Sequence, residues 1–202
     1  MKQRDLPFWT LVDGTVIYNE STNSGVELKF IHITKTGGSS IEEIGRRNNI
    51  AWGIHHREYG FHHEFFPRKP KQIKEKYEWF TVVRNPYDRL VSEFYCYWGG
   101  PPDKNVSVEK FNEITRKSIQ NRSSQGDHWS EQYRYIDPVI PIHILKYENL
   151  AVEFNNLCKL KLDVKCNVGK NKKYSKHDYN QLTLDLIRRV YEKDFLTFGY
   201  EI

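Results

Sequence analysis

The sequence predicts an α/β fold built on parallel strands, and three observations carry that expectation. Two short apolar runs, 26–33 and Trp79–Val83, read as buried strands; the second is bounded by charge and lacks the alternation of a strand with one wet face. Each run is followed by a loop and then by helical start signals, as in strand–loop–helix units. Arg84 stands at the carboxyl end of the second run, which is where ligands bind in open α/β sheets. The 202 residues suit one domain, expected over 26–202 and preceded by an N-terminal arm over 1–25.

Composition narrows the class further. Hydrophobic residues at 38% and charged residues at 28% are ordinary for a globular protein, while 14% aromatic is high. A net charge of +5, with the charges interspersed, favours anionic ligands without requiring nucleic acid. No apolar run approaches the length of a bilayer span, and the start Met1-Lys2-Gln3-Arg4-Asp5-Leu6-Pro7 lacks an apolar stretch of signal-peptide type. A cytoplasmic location is therefore expected. Cys96, Cys158 and Cys166 form an odd set without Cys-x-x-Cys spacing, so free thiols are expected, with a Cys158–Cys166 bridge as the alternative. No thiolate cluster accompanies the histidines, so no metal is expected.

Along the chain, the polar, turn-rich arm leads into the first strand and then into Thr34-Lys35-Thr36-Gly37-Gly38-Ser39-Ser40. Two glycines let the backbone turn and let a ligand approach the amides. Ser39 and Ser40 each precede a glutamate by three residues, the capping-box signature of a helix start. A helix N-terminus behind such a turn presents unpaired N–H groups and a positive dipole end to an anion. The lysine precedes the glycines, unlike Gly-x4-Gly-Lys-Ser/Thr, so this is not the nucleotide-triphosphatase loop. Ile41 and Ile44 start the buried face of the first helix, which Asn48-Asn49 closes.

A histidine-rich segment follows, with His55, His56, His62 and His63 among aromatic residues. It reads either as loop packing or as the source of a general base, since an imidazole suits proton abstraction at neutral pH. The basic run from Pro67 to Tyr77 reads as a solvated face or as a rim for an acidic ligand. After the second strand comes Arg84-Asn85-Pro86-Tyr87-Asp88-Arg89-Leu90-Val91-Ser92, where Pro86 starts a helix with a stripe of Leu90, Val91, Phe94, Tyr95 and Trp98. Arg84 can grip a phosphate through its planar fork, with Ser92 joining it, while Arg89 pairs with Asp88 or Glu93.

Together the 34–40 loop and the Arg84–Ser92 segment resemble the sulfotransferase family. The resemblance runs from about Leu28 to Tyr200 and implies a three-layer sandwich with a central parallel sheet flanked by helices, the phosphate-loop-like sulfotransferase fold. It implies 3′-phosphoadenosine 5′-phosphosulfate (PAPS) as donor and no metal. Lys35, Thr36, Gly37, Gly38, Ser39 and Ser40 would hold the phosphosulfate, and Arg84 and Ser92 the 3′-phosphate. By analogy with the carbohydrate-type members, His63 is the expected base, His56 the reserve, and His62 lies near the acceptor. The stretch His128-Trp129-Ser130-Glu131-Gln132 is similar to a family segment on the acceptor side, which would place His128, Trp129 and Gln132 there; a capped loop with a packed indole is the equal alternative. The late basic loop, with Gly169 and Lys170 at its start, reads either as an exposed lysine-rich turn or, as the resemblance implies, as a loop that folds over the nucleotide. Animal carbohydrate sulfotransferases usually carry an N-terminal anchor. Its absence here implies a soluble microbial or viral relative, or a trimmed catalytic domain.

The remaining elements are a short helix over Phe111–Ile119, a strand over Val139–Leu145 interrupted by Pro141, and a helix from Asn149 to Leu160. A helix with Tyr179, Leu182, Leu186 and Val190 inward follows, and a closing segment runs from Asp194 to Tyr200. The leading expectation is sulfuryl transfer from PAPS to a hydroxyl, with a glycan as acceptor, no nucleic-acid partner and no membrane span. Two alternatives stand beside it: a phosphate-loop kinase or nucleotide hydrolase, and a non-catalytic glycan- or nucleic-acid-binding module.

Overall fold

In the computed structural model the described residues are 27–53, 63–124, 128–164, 166 and 172–202. The arm over 1–25, His55, His56, His62, Gly169 and Lys170 lie outside them. In chain order the elements are β1 (Leu28–Ile31), α1 (Gly38–Arg47), α2 (Lys71–Lys76), β2 (Glu78–Val83), α3 (Pro86–Phe94), α4 (Val108–Gln120), β3 (Ile142–Lys146), α5 (Leu150–Cys158), α6 (Gln181–Val190) and α7 (Glu192–Phe198). The expected α/β class holds. The sheet has the order β1-β2-β3 and is parallel, with Leu28 opposite Glu78 and Ile31 opposite Thr81.

The chain folds into two compact units that interleave in sequence. Over the described residues the first takes 27–33, 37–53, 63–82, 135–164 and 166, and the second takes 34–36, 83–124, 128–134 and 172–202. Because the chain passes repeatedly from one to the other, neither is a separable stretch of sequence.

The first unit contains the sheet. Leu28, Phe30, Phe80, Val82 and Leu145 bury the sheet against Ile41 and Ile44 of α1 and Leu150, Phe154 and Cys158 of α5, with Trp52 edge-on to Phe80 and Phe154. The β-structure is shorter than the apolar run predicts, since pairing stops at Ile31 where the chain turns into the loop. The strand expected over Val139–Leu145 begins only at Ile142, immediately after Pro141, which cannot donate to a ladder. Asn48 closes α1, as expected. Arg46 and Arg47 in its last turn complement the dipole and ion-pair with Glu43, whose carboxyl the Arg46 hydrogen bond holds below the usual value.

The expected capping box does not form. The N-cap of α1 is Gly37, left-handed at φ 92°, and no side chain caps the helix. The glycine turn starts the helix at Gly38, which places Ser39 and Ser40 inside the first turn, beyond capping position.

The second unit is built on helices. Phe94 of α3, Phe111 of α4, Trp129, Tyr174, Tyr179, Ile187 of α6 and Phe195 of α7 share one core, in which Tyr174 and Tyr179 stack near-parallel with Phe111. Pro86 opens α3 behind an Asn85 cap, Ser107 caps α4 and Asn180 caps α6. Two expected core residues face water instead. Trp98 lies beyond the end of α3 and is 83% exposed. Leu182 is exposed because Thr183, Leu186 and Ile187 form the buried face of α6. The cysteines are free, as expected, with Cys96 and Cys158 buried.

Candidate active site

In the first unit the features of interest gather at the start of α1. Gly37 occupies a left-handed conformation that side chains rarely adopt, and Gly38 is confined by its neighbour: a Cβ there would lie 2.2 Å from the His32 ring. His32 thus packs directly on the first residue of the helix. Ser40 N donates back to the Gly37 carbonyl, and Ser40 Oγ accepts from Cys166 N at 3.0 Å, so the Ser40 hydroxyl still carries a proton to give.

His63 is tied to this same place. Its Nδ1 lies 3.1 Å from the His32 carbonyl oxygen, and the two imidazoles meet edge to face at 4.6 Å. A carbonyl can only accept, so Nδ1 carries the proton, and in the neutral ring Nε2 is the basic nitrogen. His63 sits at φ 58°, a backbone strained for a non-glycine residue, and the ring contacts hold it there.

The basic run from Pro67 to Tyr77 is largely paired within this unit. Lys69 bridges to Glu64, Lys71 to Glu75 at 3.6 Å and Lys74 to Asp137 at 2.5 Å, while the Arg68 guanidinium lies over the Phe65 ring. This segment behaves as a neutralised face.

In the second unit, Lys35 and Arg84 are neighbours: Arg84 Nη1 donates to the Lys35 carbonyl at 3.4 Å. Arg84 follows β2, and its backbone is gripped by one side chain. Gln132 Oε1 accepts from Arg84 N at 2.9 Å, and Gln132 Nε2 donates to Arg84 O at 2.8 Å, completing the pairing that a further strand would supply. Gln132 is anchored in turn by Asp194, whose carboxylate accepts from the backbone N–H groups of Gln132 and Tyr133. Burial pushes the Asp194 carboxyl up to about 6, against those hydrogen bonds.

Positive charge concentrates around the pair. Desolvation by the surrounding protein, followed by the charges of Arg84 and Lys35, pushes Lys172 below its ordinary value, opposed by Asp88. Lys104 is likewise lowered, by burial first and then by Lys35, although Cys96 opposes the shift. Such a convergence of cations is what an anion-binding site requires. Lys104 and Lys172 carry no motif, and the lysine-rich composition of 170–173 was the only signal for the latter.

Other expected site residues take different places. Trp129 and Gln132 have no exposed surface: the Trp129 indole donates to the Gly99 carbonyl and its ring packs in the core. Both belong to the packed interior of this unit. His128 Nδ1 lies 2.7 Å from Glu93 Oε2, and Thr36 is fully buried. Ser92 is buried on α3. Arg89 pairs with Glu93, as expected, and Asp88 pairs with Lys176. Among the described residues Glu93, Cys96 and His128 lie close enough to share a metal ion, but Arg89 at 3.5 Å from Glu93 and Lys104 beside Cys96 already crowd that place with positive charge.

The family model described as the sulfotransferase family matches residues 26–201, and so runs through both units. The chain belongs to the sulfotransferase family. No curated protein and no solved structure matches it. Membership makes this sulfotransferase a transferase that moves a sulfuryl group, and it leaves the kinase or nucleotide-hydrolase alternative without support. No helix among the described residues is long and apolar enough to cross a membrane.

Proposed function

We propose that this sulfotransferase moves the sulfuryl group of PAPS to a carbohydrate hydroxyl, without a metal, using His63 as general base. The observation that carries the reading is the hydrogen bond from His63 Nδ1 to the His32 carbonyl. It leaves Nε2 as the basic nitrogen, and His32 packs on the residue that starts α1. A base and a helix N-terminus with amides for an anion therefore belong to one unit.

The donor's 5′-phosphosulfate is assigned to the α1 start, through Gly37, Gly38, Ser39 and Ser40. Lys35 is assigned to the phosphate oxygen that becomes the leaving group. Arg84, Ser92 and the late basic loop with Gly169 and Lys170 are assigned to the 3′-phosphate, and the positive charge felt by Lys172 supports that loop's part. In the reaction the acceptor oxygen bonds to sulfur as the bond from sulfur to the phosphate oxygen breaks. The acceptor proton passes to His63 Nε2, and Lys35 offsets the charge that grows on the departing 3′-phosphoadenosine 5′-phosphate (PAP). Positioning and electrostatics suffice for such a transfer, since charge is spread over the oxygens of the moving group.

The experiment is calorimetry with PAP against ATP, followed by an acceptor screen with labelled PAPS. PAP should bind and ATP bind more weakly, and His63→Ala should lower kcat on the best acceptor by about a hundredfold or more. Turnover unchanged in His63→Ala would remove His63 as the base. Equal affinity for ATP and PAP would remove PAPS as the donor.

A further inference from the structure

Thr34 precedes Lys35, and it is held from two sides by buried groups of α3. Arg89 Nε donates to the Thr34 carbonyl at 2.9 Å, and Arg89 Nη2 donates to Thr34 Oγ1 at 2.7 Å. The same hydroxyl donates to Glu93 Oε1 at 2.5 Å. Glu93 is braced on its other oxygen by His128 Nδ1 at 2.7 Å, and Arg89 is braced by the Ser130 carbonyl at 2.7 Å. Thr34, Arg89 and Glu93 are buried, so the bonds among them form where water cannot replace them. Burial pushes the Glu93 carboxyl up, yet the His128 hydrogen bond and the Arg89 charge bring it below its usual value, so the acceptor stays ionised.

Lys35 itself sits at φ 60°, a left-handed conformation that a lysine holds only where its neighbours dictate it. On one side Arg84 holds its carbonyl; on the other, the Thr34 peptide is locked by Arg89. We infer that Thr34, clamped by Arg89 and Glu93 and backed by His128, is a positioning residue that sets the backbone from which Lys35 acts. The inference rests on the proposed role of Lys35. It also gives His128 a task other than touching the acceptor. The clamp needs a hydroxyl that donates to Glu93 while accepting from Arg89, and only serine could replace threonine in both respects.

The test compares Thr34→Val with Thr34→Ser, and His128→Ala with His128→Asn, whose amide can still reach Glu93. Readouts are kcat, the KM values for PAPS and acceptor, PAP affinity by calorimetry, and Tm. Thr34→Val should lower kcat tenfold or more while PAP affinity stays within about threefold, and Thr34→Ser should stay within about threefold of the parent throughout. His128→Ala should lower kcat about threefold to tenfold, leaving the acceptor KM unchanged, with His128→Asn restoring most of the loss.

Parental kcat in Thr34→Val would overturn the inference, as would equal losses in Thr34→Ser and Thr34→Val, which would trace the effect to packing. Should Thr34→Val fail to fold, the His128 pair decides: a raised acceptor KM with unchanged kcat, or no change at all, would overturn it. Lys35→Ala separates the two layers of the argument. Full turnover in Lys35→Ala would refute the role of Lys35 itself, whereas a dead Lys35→Ala beside a fully active Thr34→Val would refute only the clamp.

Discussion

Replacing Gln132 with methionine removes the side chain that grips Arg84 while keeping nearly the same volume. The two bonds lost to Arg84 are 2.9 Å and 2.8 Å long, to its backbone N–H and C=O, and a long 3.5 Å contact from Gln132 Nε2 to Asp194 Oδ2 goes with them. Gln132 is fully buried but Arg84 is partly accessible, so water can recover some of the loss at Arg84. At about 1 kcal/mol for each bond, with part of the penalty for a group left unpaired, the cost is about 2–3 kcal/mol. The main-chain bond from Gln132 to Asp194 survives the change, so the fold should persist. For a chain of this length that corresponds to a Tm lower by about 4–12 °C.

Arg84 would also lose its fixed aim, so PAP affinity should fall about tenfold while the acceptor KM stays put. Thermal unfolding followed by circular dichroism gives the first number, and calorimetry with PAP gives the second. An unchanged Tm together with unchanged PAP affinity would refute the clamp. A raised acceptor KM with parental PAP binding would return Gln132 to the acceptor side, where the sequence had placed it.

Other outcomes follow from the same geometry. Asp194 titrates near 6 when folded and near ~3.9 when unfolded, so its contribution is fully present below the lower value and is lost as pH rises through the upper one. The Tm of the parent relative to Asp194→Asn should therefore rise as pH falls from 7 to 5, and a constant difference would refute the burial argument. PAP at about a hundred times its Kd should stabilise the protein by about 2.7 kcal/mol. Lys172→Ala should weaken PAP binding severalfold and flatten its salt dependence, and identical salt slopes would exclude Lys172 from the site. Gly38→Ala puts a methyl 2.2 Å from the His32 ring, which should cost about 1–3 kcal/mol and disturb His63 as well. A Tm and kcat equal to the parent's would show that His32 yields freely.

The motifs were legible because each rests on local chain chemistry. A glycine pair after an apolar run makes a turn, and Pro86 behind Asn85 makes a helix start, whatever the rest of the chain does. Helix faces were legible only in part. Trp98 reads as a continuation of the α3 stripe, but the helix stops at Phe94, and nothing local distinguishes a tryptophan one turn too far. In the His-Trp-x-x-Gln stretch the burial of Trp129 and Gln132 was not legible for a related reason. Side chains that pair with backbone inside a fold have the same composition as side chains that meet a ligand.

By itself, the sequence determined the class of the fold, the turn-and-helix starts at Gly37 and Pro86 and the family, since these depend on order and spacing along the chain. Tertiary structure alone decided that Gln132 holds Arg84, that Asp194 holds Gln132, and that Arg89 and Glu93 clamp Thr34. Those bonds join residues dozens of positions apart, and they depend on which groups are shut away from water. Burial makes an unmade hydrogen bond costly enough to choose the partner, and burial is a property of the folded chain.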